Sequence, residues 1–304
     1  MLVRLAQVLE ERCVDLEGAE ARYREAVELD PGHRQALAQL RQLYATKERW
    51  DRYLAVAQQE MDLSMRPFER AAFFTDVGQV WLRKLGDPQQ AVAQFELALE
   101  ADAEHADALL GLADAQVKQG APDRAALALA RAIERLRGAE RAPALVALGD
   151  LYANDLDEPE RAHEAYQRAL SDDPRSHLAL EALAERAGRE KNWELFQELQ
   201  ERRWEAAQDD VRRLTVAHDA GRVHLEERAD APAARLWFQR ALELFPEDPV
   251  VHLYLADIER LSGNQQALSE HLKQAAALAD EAAPADLLLS LIHISEPTRR
   301  RLES

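Results

Sequence analysis

The feature that most constrains this chain is a ladder of small, aromatic and small side chains followed by proline. In AEARYREAVELDP the rungs are Ala19, Tyr23, Ala26 and Pro31, at offsets of four, three and five residues. The ladder recurs as Ala162, Tyr166, Ala169 and Pro174, and again as Ala234, Phe238, Ala241 and Pro246. A fourth copy has Ala91, Phe95 and Ala98 with Ala103 in the proline slot; a fifth has Ala125, Leu129 and Ala132 with Arg137 there. Offsets of four and three put three side chains on one face of an α-helix. The alanines let a second helix approach closely, and the ring fills the space beside them. A proline after the last turn cannot continue the helix, so the pattern predicts a stop there.

Each ladder is preceded by a second amphipathic run, such as HADALLGLADAQVKQG (105–120) or PALVALGDLYAN (143–154). Between the two lies a turn signal: Gly86–Asp87–Pro88, Gly120–Ala121–Pro122 or Asp157–Glu158–Pro159. The repeating unit is therefore a helix hairpin. Composition agrees, because Gly 11 and Pro 12 are few in 304 residues and Ala, Leu, Glu and Arg dominate; these residues lose little freedom in a helix. Two further copies, TKERWDRYLAVAQQE (46–60) and EKNWELFQELQERR (190–203), place Tyr53 and Phe196 at the first rung, with Trp50 and Trp193 three residues earlier. These bulky residues read as packing variants rather than ligand positions.

The pattern resembles the tetratricopeptide repeat family, whose period is 34 residues. LGDLYANDLDEPERAHEAYQRALSDDP (148–174) carries its small–aromatic pair as Gly149 and Tyr152 and its ladder as Ala162, Tyr166, Ala169 and Pro174. It departs from the family by one extra residue in the hairpin turn, as do the copies running from Gly78 to Ala91 and from Gly221 to Ala234. The resemblance covers residues 1 to about 286 and implies an all-α fold: an α-solenoid of about eight hairpins wound as a right-handed superhelix. First-rung positions fall at 19, 53, 91, 125, 162, 196, 234 and 268, so the second four repeat the first at an offset of 143. Trp50 then meets Trp193, and Asp76 and Gly78 meet Asp219 and Gly221. This suggests an internal duplication, with one four-hairpin module in residues 1–143 and a second in 144–288. Stacking is expected to continue through the short connection RLRGAERAP (135–143).

The end of the sequence breaks the register. LSLIHISEPTR (289–299) resembles a translation of the transposase-end adapter used in preparing sequencing libraries. Residues 289–304 are accordingly expected to be a non-native tail, with the natural reading frame interrupted near Leu288.

Charge and motifs narrow the function. A net charge of −18 disfavours contact with phosphate backbones, so no nucleic-acid partner is expected. No run is apolar enough to span a membrane, and MLVRLAQVLEERC lacks the uninterrupted apolar core of a signal peptide. A cytoplasmic location is the default expectation. The single cysteine, Cys13, lies in an amphipathic run and is expected to be a buried thiol. Phosphate loops, paired cysteines and H-E-x-x-H are missing, the nine histidines are scattered, and His218 and His224 stand six residues apart, off a common helix face. The expectation is no cofactor, no metal and no enzymatic activity.

Binding remains. The resemblance implies that first helices of successive hairpins line a concave groove for protein segments. By register, the inward residues would be Gln42, Gln79, Asp114, Asp150, Glu185, Arg222 and Asp257, with Asp76, Asp219 and Tyr254 one turn earlier. Such a groove is acidic from Asp114 onward, interrupted by Arg222, and would suit a basic or amphipathic peptide. The alternative, that an acidic chain carries acids on every face, stays open. The clamp for a C-terminal carboxylate used by chaperone-binding relatives needs Lys, Arg and Asn at groove positions, which argues against that role here. The leading expectation is a non-enzymatic scaffold or adaptor. The alternative is the regulatory repeat region of a larger, truncated protein.

Overall fold

The computed structural model describes residues 1–61, 63 and 66–282; the expected tail at 289–304 lies outside them. The described residues form sixteen α-helices, one short 3₁₀ turn and no strand. Two compact units divide the chain, residues 1–165 and 166–304. In the first unit the hairpins are α1 (Leu2–Glu11) with α2 (Leu16–Leu29), α3 (Arg34–Thr46) with α4 (Trp50–Met61), α5 (Pro67–Arg83) with α6 (Pro88–Ala101) and α7 (Ala106–Lys118) with α8 (Pro122–Arg135). α9 (Ala142–Asn154) follows, and the division falls inside α10 (Pro159–Asp172). The second unit holds α11 (His177–Arg189) with α12 (Trp193–Ala206), α13 (Asp210–Glu226) with α14 (Ala231–Leu244) and α15 (Pro249–Ser262) with α16 (Gln265–Ala282). Within each unit every helix packs on its hairpin mate, and hairpins stack in chain order, α2 on α3 and α6 on α7 in one, α12 on α13 and α14 on α15 in the other. This is the α-solenoid architecture. α8 packs on α9 across residue 143, inside the first unit.

The limits of four helices repeat to the residue. Leu16–Leu29, Arg34–Thr46, Pro67–Arg83 and Pro88–Ala101 recur 143 positions later as Pro159–Asp172, His177–Arg189, Asp210–Glu226 and Ala231–Leu244. Local chemistry explains the limits. Pro88 and Pro122 open their helices, where a missing N–H costs nothing. The preceding turns carry positive φ at Gly86 (67°), Gly120 (70°) and Asp157 (53°). Helix stops are set less by proline than the sequence predicts: α6 ends at Ala101 with Ala103 in the proline slot. Asp30, Asp102 and Asp173 each accept, through the side chain, the backbone N–H two residues on, at 3.0–3.1 Å. Such Asx turns compete with continued helix.

The rungs form the core. Ala19, Tyr23, Ala91, Phe95, Ala98, Ala234, Phe238 and Ala241 are fully buried, and Ala162, Tyr166 and Ala169 nearly so. Phe95 lies between Gly78 and Gly111: a Cβ at Gly78 would sit 2.7 Å from its ring, and one at Gly111 would also overlap it. At the repeated place a Cβ on Gly221 would sit 2.6 Å from the Phe238 ring, but the other side is covered by Tyr254, stacked on Phe238 at 4.7 Å and 7°. Trp50 and Trp193 meet Tyr53 and Phe196 edge-on, at 6.0 and 6.2 Å between centroids.

Charge also enters the core. Buried Glu20 accepts from Lys47 (2.7 Å), Arg49 (2.8 Å), Arg52 (2.7 Å) and the Tyr44 hydroxyl (3.3 Å). Burial works to raise its pKa, but Lys47, Arg49 and Arg52 outweigh it and hold the carboxyl below the ordinary range. Cys13 departs from expectation and is exposed. α1 ends at Glu11, and the turn through Val14 at φ 53° carries the cysteine off the helix face that the amphipathic run seemed to continue. His224 is fully buried on α13, with Nε2 2.8 Å from Gln197 Oε1, and Nδ1 has no partner. Burial, then the charge of Arg228, holds its pKa below 6.5, with Asp230 opposing.

Two outcomes follow from this packing. Gly78→Ala should lower stability in urea unfolding by about 1–3 kcal/mol through overpacking against Phe95, outweighing alanine's intrinsic helical gain of about 1 kcal/mol. His224 binds a proton more weakly folded than unfolded, so its contribution is complete above about pH 6.5 and is lost as pH falls below it. His224→Gln should keep the amide contact to Gln197 and flatten the stability–pH profile between pH 7.5 and 5. The difference from wild type should reach about 1.4 kcal/mol per pH unit at most.

Candidate functional site

Two concave places lie on the first-helix side of the hairpins, one in each unit. The first is a trough of about 430 Å³ between α7 and α9. Its floor is apolar, with Leu110, Ala113, Ala144, Ala147 and Leu151, and its rim carries Asp114, Glu140, Asp150 and Asp155. No lysine or arginine lines it. Asp114 has only a loose ion pair, 3.9 Å from Lys118 one turn on. Of the groove positions expected from sequence, Asp114 and Asp150 meet here.

The second place is a crevice of about 480 Å³ between α11, α12 and α13, where Glu185, Asp219 and Arg222 come together. Its base is Phe196 with Gln200 and Arg203, all three buried. Arg203 donates to Gln200 Oε1 (2.9 Å), Glu181 (3.0 Å) and Asp219 (3.3 Å). Arg222 pairs with Glu226 at 3.4 Å. Arg189 and Lys191 stand at the mouth.

The remaining expected positions are dispersed. Gln42 is exposed on α3. Asp76 lies 3.9 Å from Arg41, and Arg41 also holds Glu60 (2.5 Å) and the Tyr53 hydroxyl (2.9 Å). Burial raises the pKa of Glu60, with Arg41 opposing. Gln79 is half-buried beside Gly111, and its Oε1 has no partner. Tyr254 is buried by its stacking on Phe238. Asp257 pairs with Arg260 at 3.1 Å, and burial raises its pKa against that partner. Sequence reasoning missed Arg189, Lys191, Gln200 and Arg203, which sit outside the first-helix register. The trace they leave in sequence is a comparison across the 143-residue offset, where their counterparts are Thr46, Glu48, Ala57 and Glu60.

Among the described residues, no group of three or more His, Cys, Asp or Glu side chains could hold a metal ion, and no helix is long and apolar enough to cross a membrane. The nearest approach to a histidine cluster is His252 Nδ1 and His271 Nδ1, 3.2 Å apart between α15 and α16. His218 pairs instead with Asp248 at 3.1 Å.

Comparison with known proteins agrees with the hairpin geometry. The tetratricopeptide repeat family profile matches residues 82–143, the stretch from the end of α5 to the start of α9. Among curated proteins none matches. The C-terminal part of a TPR repeat-containing protein from Cytophaga hutchinsonii has a similar solved structure, with a TM-score of 0.64 at 15% identity, over 83% of this chain and 99% of that one. YrrB, described as a TPR protein with an unusual peptide-binding site, is 26% identical over 60% of this chain and 89% of its own, with a TM-score of 0.49. The matched segment is a tetratricopeptide repeat segment, and the same small–aromatic–small ladder is buried in the hairpins on either side of it.

Proposed function

We propose that the protein is a scaffold that binds protein segments on the first-helix faces of its hairpins, and that the trough between α7 and α9 takes a basic amphipathic segment. The observation that carries this is the trough's composition. An apolar floor is bordered by four carboxylates with no cation among the lining residues. Apolar side chains of a partner would be removed from water along Leu110 and Leu151. Lysine or arginine heads would reach Asp114, Asp150 and Asp155 while their stems stay on the floor. Asp76, Asp219 and Asp257 contribute less to such a partner, because Arg41, Arg203 and Arg260 already face them. We also propose that the recurring helix limits record a duplicated four-hairpin module, residues 1–143 and 144–288.

The test is a charge reversal in the trough. Asp114→Lys combined with Asp150→Lys should weaken binding of a labelled Lys/Leu amphipathic peptide by about tenfold or more, the scale of removing two rim charges and adding repulsion. Circular dichroism should be unchanged, since both side chains lie at the surface of their helices. Fluorescence anisotropy at low and moderate salt reads the change, and undiminished binding by the variant would remove the trough from consideration.

A further inference from the structure

The last hairpin carries titratable side chains at positions that are apolar in the first unit. His252 of α15 is buried, and its Nδ1 lies 3.2 Å from Nδ1 of half-buried His271 on α16, with the ring centroids 5.5 Å apart. Beside them Arg235 of α14 donates to buried Glu259 of α15. The positions 143 residues before His252 and His271 hold Leu109 and Ala128. Both are buried, on α7 and α8, the hairpin that corresponds to α15 and α16. Arg235 and Glu259 likewise stand where the first unit has Val92 and Gln116. Core side chains that cannot titrate near neutral pH have given way to a pair that can.

The contact fixes where each hydrogen sits. His252 Nε2 is 3.2 Å from the backbone oxygen of Pro246, which can only accept, so Nε2 carries the hydrogen and the neutral ring leaves Nδ1 bare. Nδ1 of His271 is then the donor between the rings, and its Nε2 is the bare atom. A first proton from solvent can go to His271 Nε2 and leave the contact intact. A second must go to His252 Nδ1, between the rings. Two N–H groups would then face each other across 3.2 Å, and two cations would be in contact. The charges around the pair come from all three helices. Burial and then His252 hold the His271 pKa below the ordinary histidine value, Arg235 of α14 adds to them, and Glu259 of α15 and Glu270 of α16 oppose. Arg235 and Glu259 are paired with each other, and Asp248 at the start of α15 is engaged by His218.

The helix that carries His271 is lightly held. Among the described side chains of α16, Ala275 alone is buried, whereas α8 buries Ala125, Ala126, Ala128, Leu129, Ala132 and Ile133. A helix with few buried contacts opens locally at low cost. We propose that the α15–α16 hairpin is an acid-sensitive latch: α16 is docked while His252 and His271 share one hydrogen between their facing nitrogens, and it is released when both rings are charged. The sign follows from proton linkage. The open hairpin binds a proton on each ring at ordinary affinity and the docked one binds fewer, so docking is strongest above about pH 6.5 and weakens as pH falls below it. The latch does not depend on the trough between α7 and α9 or on what that trough binds.

The experiment uses the full chain and amide hydrogen exchange read by mass spectrometry at pH 7.5 and 5.5, with rates corrected for the intrinsic pH dependence of exchange. Protection of α16 relative to α14 should fall by about tenfold or more across that interval, the scale of one extra proton bound by the open form over one pH unit. His252→Leu with His271→Ala, which places the first unit's residues in the last hairpin, should keep the helical circular dichroism and remove the change in α16. His224→Gln should leave that change in place, because His224 lies on α13. One reading needs no variant: imidazole nitrogen NMR shifts at pH 7.5 should show His252 with its hydrogen on Nε2 and His271 with its hydrogen on Nδ1. Unchanged protection of α16 on acidification, a change that persists in the double variant or vanishes in His224→Gln, or the opposite tautomers would overturn the proposal.

Discussion

Everything in this molecule depends on one contact repeated along the chain: an aromatic ring set into a slot that only small side chains leave open. Phe95 shows the constraint most sharply, with Gly78 on one side and Gly111 on the other, each too close for a Cβ. Because interiors are packed at crystal-like density, that slot fixes the distance and angle of the two helices of the hairpin and of the next first helix. The ladder is thus a spacing device as well as a source of buried apolar surface. Where the slot is altered, the neighbours change together. Tyr254 replaces Gly111, and the ring of Phe238 is then covered by stacking rather than by backbone.

The same coupled change governs the polar side chains. In the first unit, Arg41 links Glu60 and Tyr53 and faces Asp76. In the second, Arg203 comes from the opposite helix of the hairpin and links Gln200, Glu181 and Asp219. The aspartate is kept and its cation relocated. A buried charge left without its partner is strongly destabilising, so the members of such a network can change only as a set. In the second unit Ala184 stands where the first has Arg41, and a crevice of about 480 Å³ lies there.

Much of the architecture was legible before any coordinates. Offsets of four and three identified the buried face of α2, α6, α10 and α14, and Gly86–Asp87–Pro88 and Gly120–Ala121–Pro122 marked their hairpin turns. The site was less legible. Register selected Asp114 and Asp150 because both follow a small residue on a first helix, and the trough brings them together. It could not select Arg189, Lys191 or Gln200, which come from a helix end, a turn and a second helix. Nor could it show that Tyr254 is spent on stacking. Cys13 was misjudged because an amphipathic run says nothing about the residue at which its helix ends.

By itself the sequence determined the all-α class, the hairpin unit, the small–ring–small faces and the 143-residue recurrence. All of these are local or periodic properties, carried by spacing along the chain. Only the tertiary structure decided which charges are matched to one another, as at Glu20 and Arg203. The reason is physical: a hydrogen bond or ion pair reaches about 3 Å, and residues tens of positions apart enter that range only when the helices carrying them have packed.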